Sequence, residues 1–457
     1  MDLDLSLGRS HTNEAKIKNV HFIGIGGIGI SAVARMMLEE GKNVTGQDMQ
    51  DGEIVNELRL LGIDIKIRQS YENIPKDTDL VVYTIAIEYY DPELFKKLKE
   101  RNDIAIKSYP EMLGVISKDK YTIAICGTHG KTTTTGMISQ ILIDGGKDPM
   151  VIVGSLLKGK TNFIAGKSDL FVVEACEYRR SFLNINPNVL VITNIDEDHL
   201  DYYKDIEDIK NAFHEMVMKV PEDGYVICNP DDENISDVIK GIKAKVINWQ
   251  DYFDAGLKLK IPGIHNKKDA AAAMAAAATL GISQSSARGV LAEFPGTWKR
   301  FEFRGKLSNG ILLYDDYAHH PTEIMATLEG FRELYPKTDG WKITVIFQPH
   351  LFSRTKLLLD DFAKSFSDAD EVLVLPIYYA REVDDGTISS EILAGEINKH
   401  TNNAKSFSDF NEAEKSLEVG PASPTSQGGL PEMGDKNIIV TMGAGEASKI
   451  GDFLLKK

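Results

Sequence analysis

Cysteine is scarce: Cys126, Cys176 and Cys228 are the only three in 457 residues, and no two form a Cys-x-x-Cys pair. That leaves no disulfide framework and no zinc knuckle, and it suits reduced, mostly buried thiols in a cytosolic protein. Long apolar runs are missing too. The most membrane-like stretch, residues 270–282, is 13 residues of mostly alanine preceded by charge. A spanning helix needs ~20 apolar residues, so this segment reads as a packed helix. The opening MDLDLSLGRSHTNEAKIK has acids where a secretory signal carries bases, and no apolar core follows, so export is not expected. Bases are outnumbered, with 52 Lys and Arg against 68 Asp and Glu for a net charge of −16. Nucleic acid and anionic lipid are therefore poor general partners, while local basic pockets for phosphate are compatible with this balance. A chain that is 42% hydrophobic and 26% charged has ordinary globular composition, and at roughly 150 residues per domain it should form about three domains.

From Asn19 onward, apolar strands alternate with helical runs: VHFI, a glycine turn, ISAVARMMLEE, VTG, and later DLVVYT and DIAIKS. This βαβ rhythm predicts a mostly parallel sheet with helices on its faces. A second block opens at YTIAIC and runs through DLFVVEA, NVLVITN and GYVICNP to an alanine-rich helix after His265. A third follows Trp298, with ILLYDDY, KITVIF, EVLVLP and NIIVTMG. The strand runs are short, rich in Val and Ile and bounded by Gly, Pro, Asp or Asn, as buried parallel strands should be. The expected domains are residues 1–118, 119–297 and 298–457. Residues 419–436, rich in Gly, Pro and Ser and without periodicity, read as a surface loop.

Two turns look built for phosphate. Gly24-Ile-Gly26-Gly27-Ile-Gly29 lies between a strand and a helix, with Asp48 after the next strand. Glycines let the backbone approach a pyrophosphate at a helix N-terminus, and Asp48 could accept from ribose or base. NAD, FAD and UDP-sugars share these needs, and the glycines could equally serve only a tight turn and helix packing. The second turn, Gly127-Thr128-His129-Gly130-Lys131-Thr132-Thr133, follows the strand TIAIC and precedes a helix. It is a shorter variant of the phosphate loop, with Ile125 where the strict motif wants glycine. Main-chain N–H groups there cradle phosphate, Lys131 reaches the β/γ oxygens, and the Thr132 hydroxyl can ligate Mg²⁺.

Glu174 ends the strand LFVV, and Asp196, Glu197, Asp198, His199 and Asp201 follow VLVITN, so two strand ends expected to be neighbours aim acids and an imidazole at the loop. A solvated, helix-capping acidic turn explains the aspartates and Glu197 as well; His199 is kept for the site. Asp231 and Asp232 fit a turn equally well. Further on, His265 and Asn266 open the alanine helix. Block three then offers Lys299-Arg300-Phe301, Asp315-Asp316-Tyr317-Ala318-His319-His320-Pro321 and Phe347-Gln348-Pro349-His350, with Arg354 just beyond. Each group follows a strand or opens a helix, at the ligand-binding edge of an open α/β sheet. Adjacent His319 and His320 at a helix start point apart, which favours hydrogen bonding over shared metal ligation.

In order along nearly the whole chain, GIGGIG, GTHGKTTTT, VVEACE with SFL, NIDEDHLDYY, GIHN, KRF, DDYAHHPTE, FQPH with SRT, and a final GAGE resemble the Mur ligase family. The resemblance implies an α/β enzyme with a Rossmann-like UDP-binding domain, a central P-loop ATPase-like domain and a Rossmann-like C-terminal domain for the amino acid. It further implies a cytoplasmic enzyme, monomer or homodimer, using ATP and Mg²⁺ to join L-alanine to UDP-N-acetylmuramate through an acyl phosphate. Carried over, Lys131, Glu174 and His199 are catalytic, and Thr132, Glu174 and His199 hold the metal. ATP falls to Gly127, Thr128, His129, Gly130, Lys131, Thr132, Thr133, Asn266, Arg300 and Asp316, and the UDP-sugar to Gly24, Gly26, Gly27, Gly29 and Asp48. The amino acid falls to Tyr317, His319, His320, His350 and Arg354. The chain departs from the family pattern at Cys176, Arg179, Arg180, Gln69, Asp269 and Leu351, and its segment 248–262 is short. Rival readings are a murein-peptide recycling ligase, which joins a tripeptide to the same nucleotide sugar, an NAD-dependent oxidoreductase, which leaves Lys131 and Glu174 unexplained, and a non-catalytic nucleotide-binding module.

Overall fold

The structure, a computed structural model, describes residues 17–157, 161–379, 382–418 and 436–457. The opening segment read against export and nearly all of the loop expected at 419–436 lie outside the described residues. None of the helices described is long and apolar enough to cross a membrane. Cys126 and Cys228 are buried and Cys176 is exposed, all three as free thiols.

The chain forms two compact units. The first holds residues up to 198 together with 202–254 and 268–293; the second holds 199–201, 255–267 and 294–457. Two sheets build the first unit. One runs β3(Asp64–Ile67), β2(Asn43–Asp48), β1(Asn19–Ile23), β4(Leu80–Tyr83), β5(Ala105–Ser108), all parallel. The other runs β12(Lys245–Asn248), β11(Tyr225–Cys228), β10(Val189–Ile192), β6(Tyr121–Cys126), β9(Leu170–Glu174), β7(Met150–Leu157), β8(Thr161–Ile164), parallel except for the final β7/β8 pair. The ends of β9 and β10 are thus separated by β6, which carries the phosphate loop; the sequence reading had taken them as neighbours.

One apolar core runs from the first sheet into the second, joining Val20, Phe22 and Val82 with Phe171, Val173 and Leu190. The opposite face of the first sheet buries Ile23, Val81 and Tyr83. Strands covered on both faces explain the continuous Val and Ile runs. In the second unit, β13(Glu302–Lys306), β14(Leu312–Asp316), β18(Asn437–Met442), β15(Lys342–Phe347), β16(Glu371–Val374) and β17(Ala404–Ser406) form a sheet that is parallel except at β13/β14. Its two faces bury separate cores, one around Val345 and Phe347, the other around Leu313 and Ile346.

The expected α/β architecture with mainly parallel sheets is present. The sequence reading had not picked out β3, β7, β8, β12, β13 and β17, most of them short or at an edge. An edge strand buries less side chain, so its apolar signal is weak.

Candidate active site

In the second sheet the strand order turns at β6, the position at which an open α/β sheet leaves a crevice beyond its strand ends. Gly127 (φ 133°) and Gly130 (φ 81°) shape the loop there. A Cβ on Gly127 would fall 2.0 Å from Thr193 Oγ1, and one on Gly130 would fall 2.4 Å from Asp269 Oδ1. The loop is clamped from the β10 side. Asn194 Oδ1 accepts from the His129 N–H at 2.9 Å, its amide donates to the His129 carbonyl at 3.1 Å, and the Thr193 hydroxyl donates to that carbonyl at 2.5 Å. The Thr128 hydroxyl accepts from the Asp196 N–H at 2.9 Å, and the His129 ring lies 3.4 Å from the Asp196 carboxylate.

Lys131 opens the helix Lys131–Asp144. Its ammonium folds back, donating to the Gly127 carbonyl (2.6 Å) and the Thr128 carbonyl (2.9 Å), and pairs with Glu177 at 3.0 Å. Burial alone would lower the lysine pKa, but the carboxylates of Glu177 and Glu174 outweigh it and hold the ammonium above its usual value. Thr133 is buried within the same helix. Beside Lys131, the Thr132 hydroxyl donates to Glu174 Oε1 at 3.1 Å, and the Gly154 N–H of β7 donates to Glu174 Oε2 at 2.8 Å. A hydroxyl and a carboxylate this close are hard oxygen donors, the set that suits Mg²⁺. His199 follows β10 with left-handed backbone (φ 56°) and groups with the second unit.

The glycine turn after β1 is equally tight. Gly24 (φ 75°) faces Thr84 after β4, where an added Cβ would fall 2.4 Å from the threonine methyl. Gly27 caps the helix Ile28–Glu39 without a side-chain bond, leaving its first-turn N–H groups available to an anion. At Gly29 a Cβ would sit 2.6 Å from the Tyr109 ring. Asp48, expected to face ribose or base, accepts from the Gly26 N–H at 2.8 Å and braces the turn.

The remaining site residues lie in the second unit. Asp316, 4% exposed, accepts from the backbone N–H groups of Phe301 (2.7 Å) and Ala318 (2.9 Å), so it organises the turns on which Arg300 and Tyr317 ride. Burial raises its pKa, against the pull of Arg300 and those two N–H groups. Burial likewise pushes the Asp315 carboxyl up to about 6. The Arg300 guanidinium stacks 5.1 Å above the Tyr317 ring and lies 3.7 Å from Glu323. His320 caps the helix Pro321–Leu334, while the His319 ring meets His350 edge-on at 5.9 Å. His350 stacks on Tyr378 and contacts Arg354, which is 8% exposed. Tyr317, His319, His350 and Arg354 are therefore brought together, and His320 turns to the helix end. Asn266 is buried and donates to the Pro262 carbonyl at 2.5 Å.

Sequence reasoning did not single out Glu177, Asn194, Glu323 or Tyr378 as site residues. Glu177 stood in view as the second carboxylate of VVEACE, but nothing local says that it meets Lys131, 46 residues away.

Comparison with known proteins finds a Mur ligase family catalytic domain over residues 19–121, a Mur ligase middle domain over 125–255 and a Mur ligase glutamate ligase domain over 299–445. The UDP-N-acetylmuramate--L-alanine ligase of Clostridium acetobutylicum is 42% identical over 96% of this chain and 98% of its own. The protein of the same name from Caldanaerobacter subterraneus subsp. tengcongensis is 40% identical over 97% and 98%. Among solved structures, a UDP-N-acetylmuramate-alanine ligase from Thermotoga maritima superimposes with a TM-score of 0.75 at 28% identity, covering 96% of this chain and 98% of that one. A murein peptide ligase from Psychrobacter arcticus shares the fold at a TM-score of 0.70 and 24% identity, with 96% and 98% covered.

Proposed function

The chain belongs to the Mur ligase family, and from that premise we propose that it joins L-alanine to UDP-N-acetylmuramate at the expense of ATP, in the cytoplasmic synthesis of peptidoglycan precursors. Full-length similarity to alanine-adding ligases is the observation that carries the reading. The proposed division of labour follows residues 1–118 for the UDP-sugar, 119–297 for ATP and 298–457 for the amino acid.

ATP phosphorylates the lactyl carboxylate, the amine of alanine attacks the acyl phosphate, and the tetrahedral intermediate expels phosphate. The glycine turn Gly24, Gly26, Gly27 and Gly29, braced by Asp48, takes the diphosphate of the nucleotide sugar on its N–H groups. Gly127 to Thr133 wrap the ATP phosphates, and Lys131 exchanges Glu177 for phosphate oxygens. Asn266, Arg300 and Asp316 complete the ATP site. Thr132, Glu174 and His199 are assigned to Mg²⁺, which when bound supplies positive charge against the transferring phosphoryl group. Tyr317, His319, His320, His350 and Arg354 hold the amino acid, with the Arg354 guanidinium on its carboxylate.

The test is phosphate release by the purified protein with ATP, Mg²⁺, UDP-N-acetylmuramate and a panel of acceptors. Alanine should give the fastest release. Faster release with L-Ala-γ-D-Glu-diaminopimelate would transfer the assignment to the peptide-recycling reaction, and no release with any acceptor would remove the ligase reading.

A further inference from the structure

Hydrogen-bond partners give His319, His320 and His350, three of the histidines of the second unit, two different tautomers. The His320 Nδ1 accepts from the Thr322 backbone N–H at 3.3 Å, which places its proton on Nε2. The His350 Nδ1 lies 3.3 Å from an Arg354 Nη1. A guanidinium only donates, so that nitrogen also carries the lone pair. His319 is the reverse. Its Nδ1 is 2.9 Å from the Tyr317 carbonyl oxygen and 3.2 Å from Glu323 Oε2, and both of these only accept. The proton of His319 therefore sits on Nδ1 and the lone pair on Nε2. The same Glu323 oxygen accepts the His319 backbone N–H at 3.1 Å, so one carboxylate fixes both the turn and the ring.

We propose that His319 Nε2 accepts the proton from the ammonium group of the incoming amino acid, and that Glu323 is the positioning residue that holds His319 in this tautomer. The proposal rests on the amide-ligase reading and assigns a role within it. Of these three rings, His319 alone has its lone pair on Nε2; His320 and His350 keep theirs on Nδ1, turned to the Thr322 N–H and to Arg354. The charged and titratable groups around it in this unit are Glu323, Arg300 beyond that carboxylate, the Tyr317 ring at 5.3 Å, and the His350 ring at 5.9 Å with Arg354 and Tyr378 behind it. The proton balance is closed. His319 takes the first proton of the ammonium and returns it to solvent. The neutral nitrogen forms the C–N bond, the C–O bond to phosphorus breaks, and the departing phosphate takes the second proton, leaving the amide N–H.

Hydroxylamine, neutral at pH 7, intercepts an acyl phosphate without needing a base, so hydroxamate formation reports carboxyl activation apart from amine attack. For His319→Gln we expect alanine turnover to fall about 100-fold at pH 7, within the usual range for a lost general base, while hydroxamate formation changes less than about threefold by the same argument. The alanine rate should climb again with pH as the free amine is delivered ready-made. Glu323→Gln can present either its oxygen or its NH₂ to His319 Nδ1, so the tautomer is no longer fixed; kcat for alanine should fall about tenfold while hydroxamate formation changes less than about threefold. Alanine turnover in His319→Gln within threefold of wild type, with an unchanged pH profile, overturns the proposal and leaves the departing phosphate as sole acceptor. A parallel loss of hydroxamate in a folded His319→Gln, or a kcat for alanine in Glu323→Gln within about threefold of wild type, reduces both residues to structural roles. A wild-type protein that forms no hydroxamate overturns the ligase reading itself.

Discussion

Lys131 carries a charge that the folded loop already neutralises. Its partner Glu177 is 2% exposed, so removing the lysine strands a carboxylate out of water. Breaking such a pair from one side typically costs about 3–5 kcal/mol. Lys131→Ala should lose at least nine-tenths of turnover, because phosphoryl transfer depends on positioned charge, and it should also melt earlier. Adding Glu177→Gln should restore most of the melting temperature and none of the turnover; recovery of both in the double variant would deny Lys131 its place on the phosphates. Glu174→Gln keeps the shape beside Thr132 and Gly154 but halves the hard-oxygen character, so the Mg²⁺ concentration for half-maximal rate should rise. An unchanged metal requirement would take Glu174 out of the metal site. Arg354→Ala should raise the KM for alanine tenfold or more and leave that for ATP nearly unchanged, since a charged hydrogen bond contributes about 1.5–3 kcal/mol. Steady-state kinetics with each substrate varied in turn decides it. The sequence singles out Lys131, Glu174 and Arg354 as candidates because each stands in or beside a contiguous motif. Glu177 and Glu323 gain their partners through packing or through a turn geometry that no spacing rule announces.

Strands and helices place these groups through close approach of backbone to side chain. Gly29 lets the helix Ile28–Glu39 lie against Tyr109, whose hydroxyl is pushed above its ordinary pKa by burial and then by Glu174. Gly29→Ala puts a methyl 2.6 Å from that ring, which cannot retreat from a packed core. The expected result is a KM for the nucleotide sugar raised severalfold or more, with a melting temperature lowered by an overpacking cost of about 1–3 kcal/mol. Gly41→Ala, at φ 75° in open space, is the control that keeps the nucleotide-sugar KM at its wild-type value. The turns carrying the motifs are strained. Arg179, Arg180, His199, Lys299, Phe301 and Leu351 hold left-handed backbone without being glycine, at about 1–3 kcal/mol each. Sequence patterns signalled the central strands, where both faces are buried. They did not signal the strain, because Arg, Lys, Phe and Leu seldom take positive φ and a single histidine, though more tolerant, does not announce it.

The molecule as a whole divides into two compact units, although the sequence shows three α/β blocks. The first two sheets share one apolar core, and Asn162 of β8, fully buried, donates to the Ile28 carbonyl and, at 2.7 Å, to the Ser31 hydroxyl of the helix after the glycine turn. Scanning calorimetry should therefore show two transitions, one for each unit. Asn162→Ala should lower only the transition of the first unit, by the equivalent of about 1–3 kcal/mol for a lost buried polar contact. Three separable transitions would mean that the first two sheets fold independently. The blocks, their parallel sheets and the two glycine turns followed from the chain alone, because strand burial and glycine turns are local demands that neighbouring residues meet. Folding settled which of 68 acids faces Lys131, which histidine nitrogen keeps its lone pair, and which two blocks share a core. Those contacts join residues tens of positions apart, or depend on the direction a buried side chain takes, and packing rather than periodicity sets both.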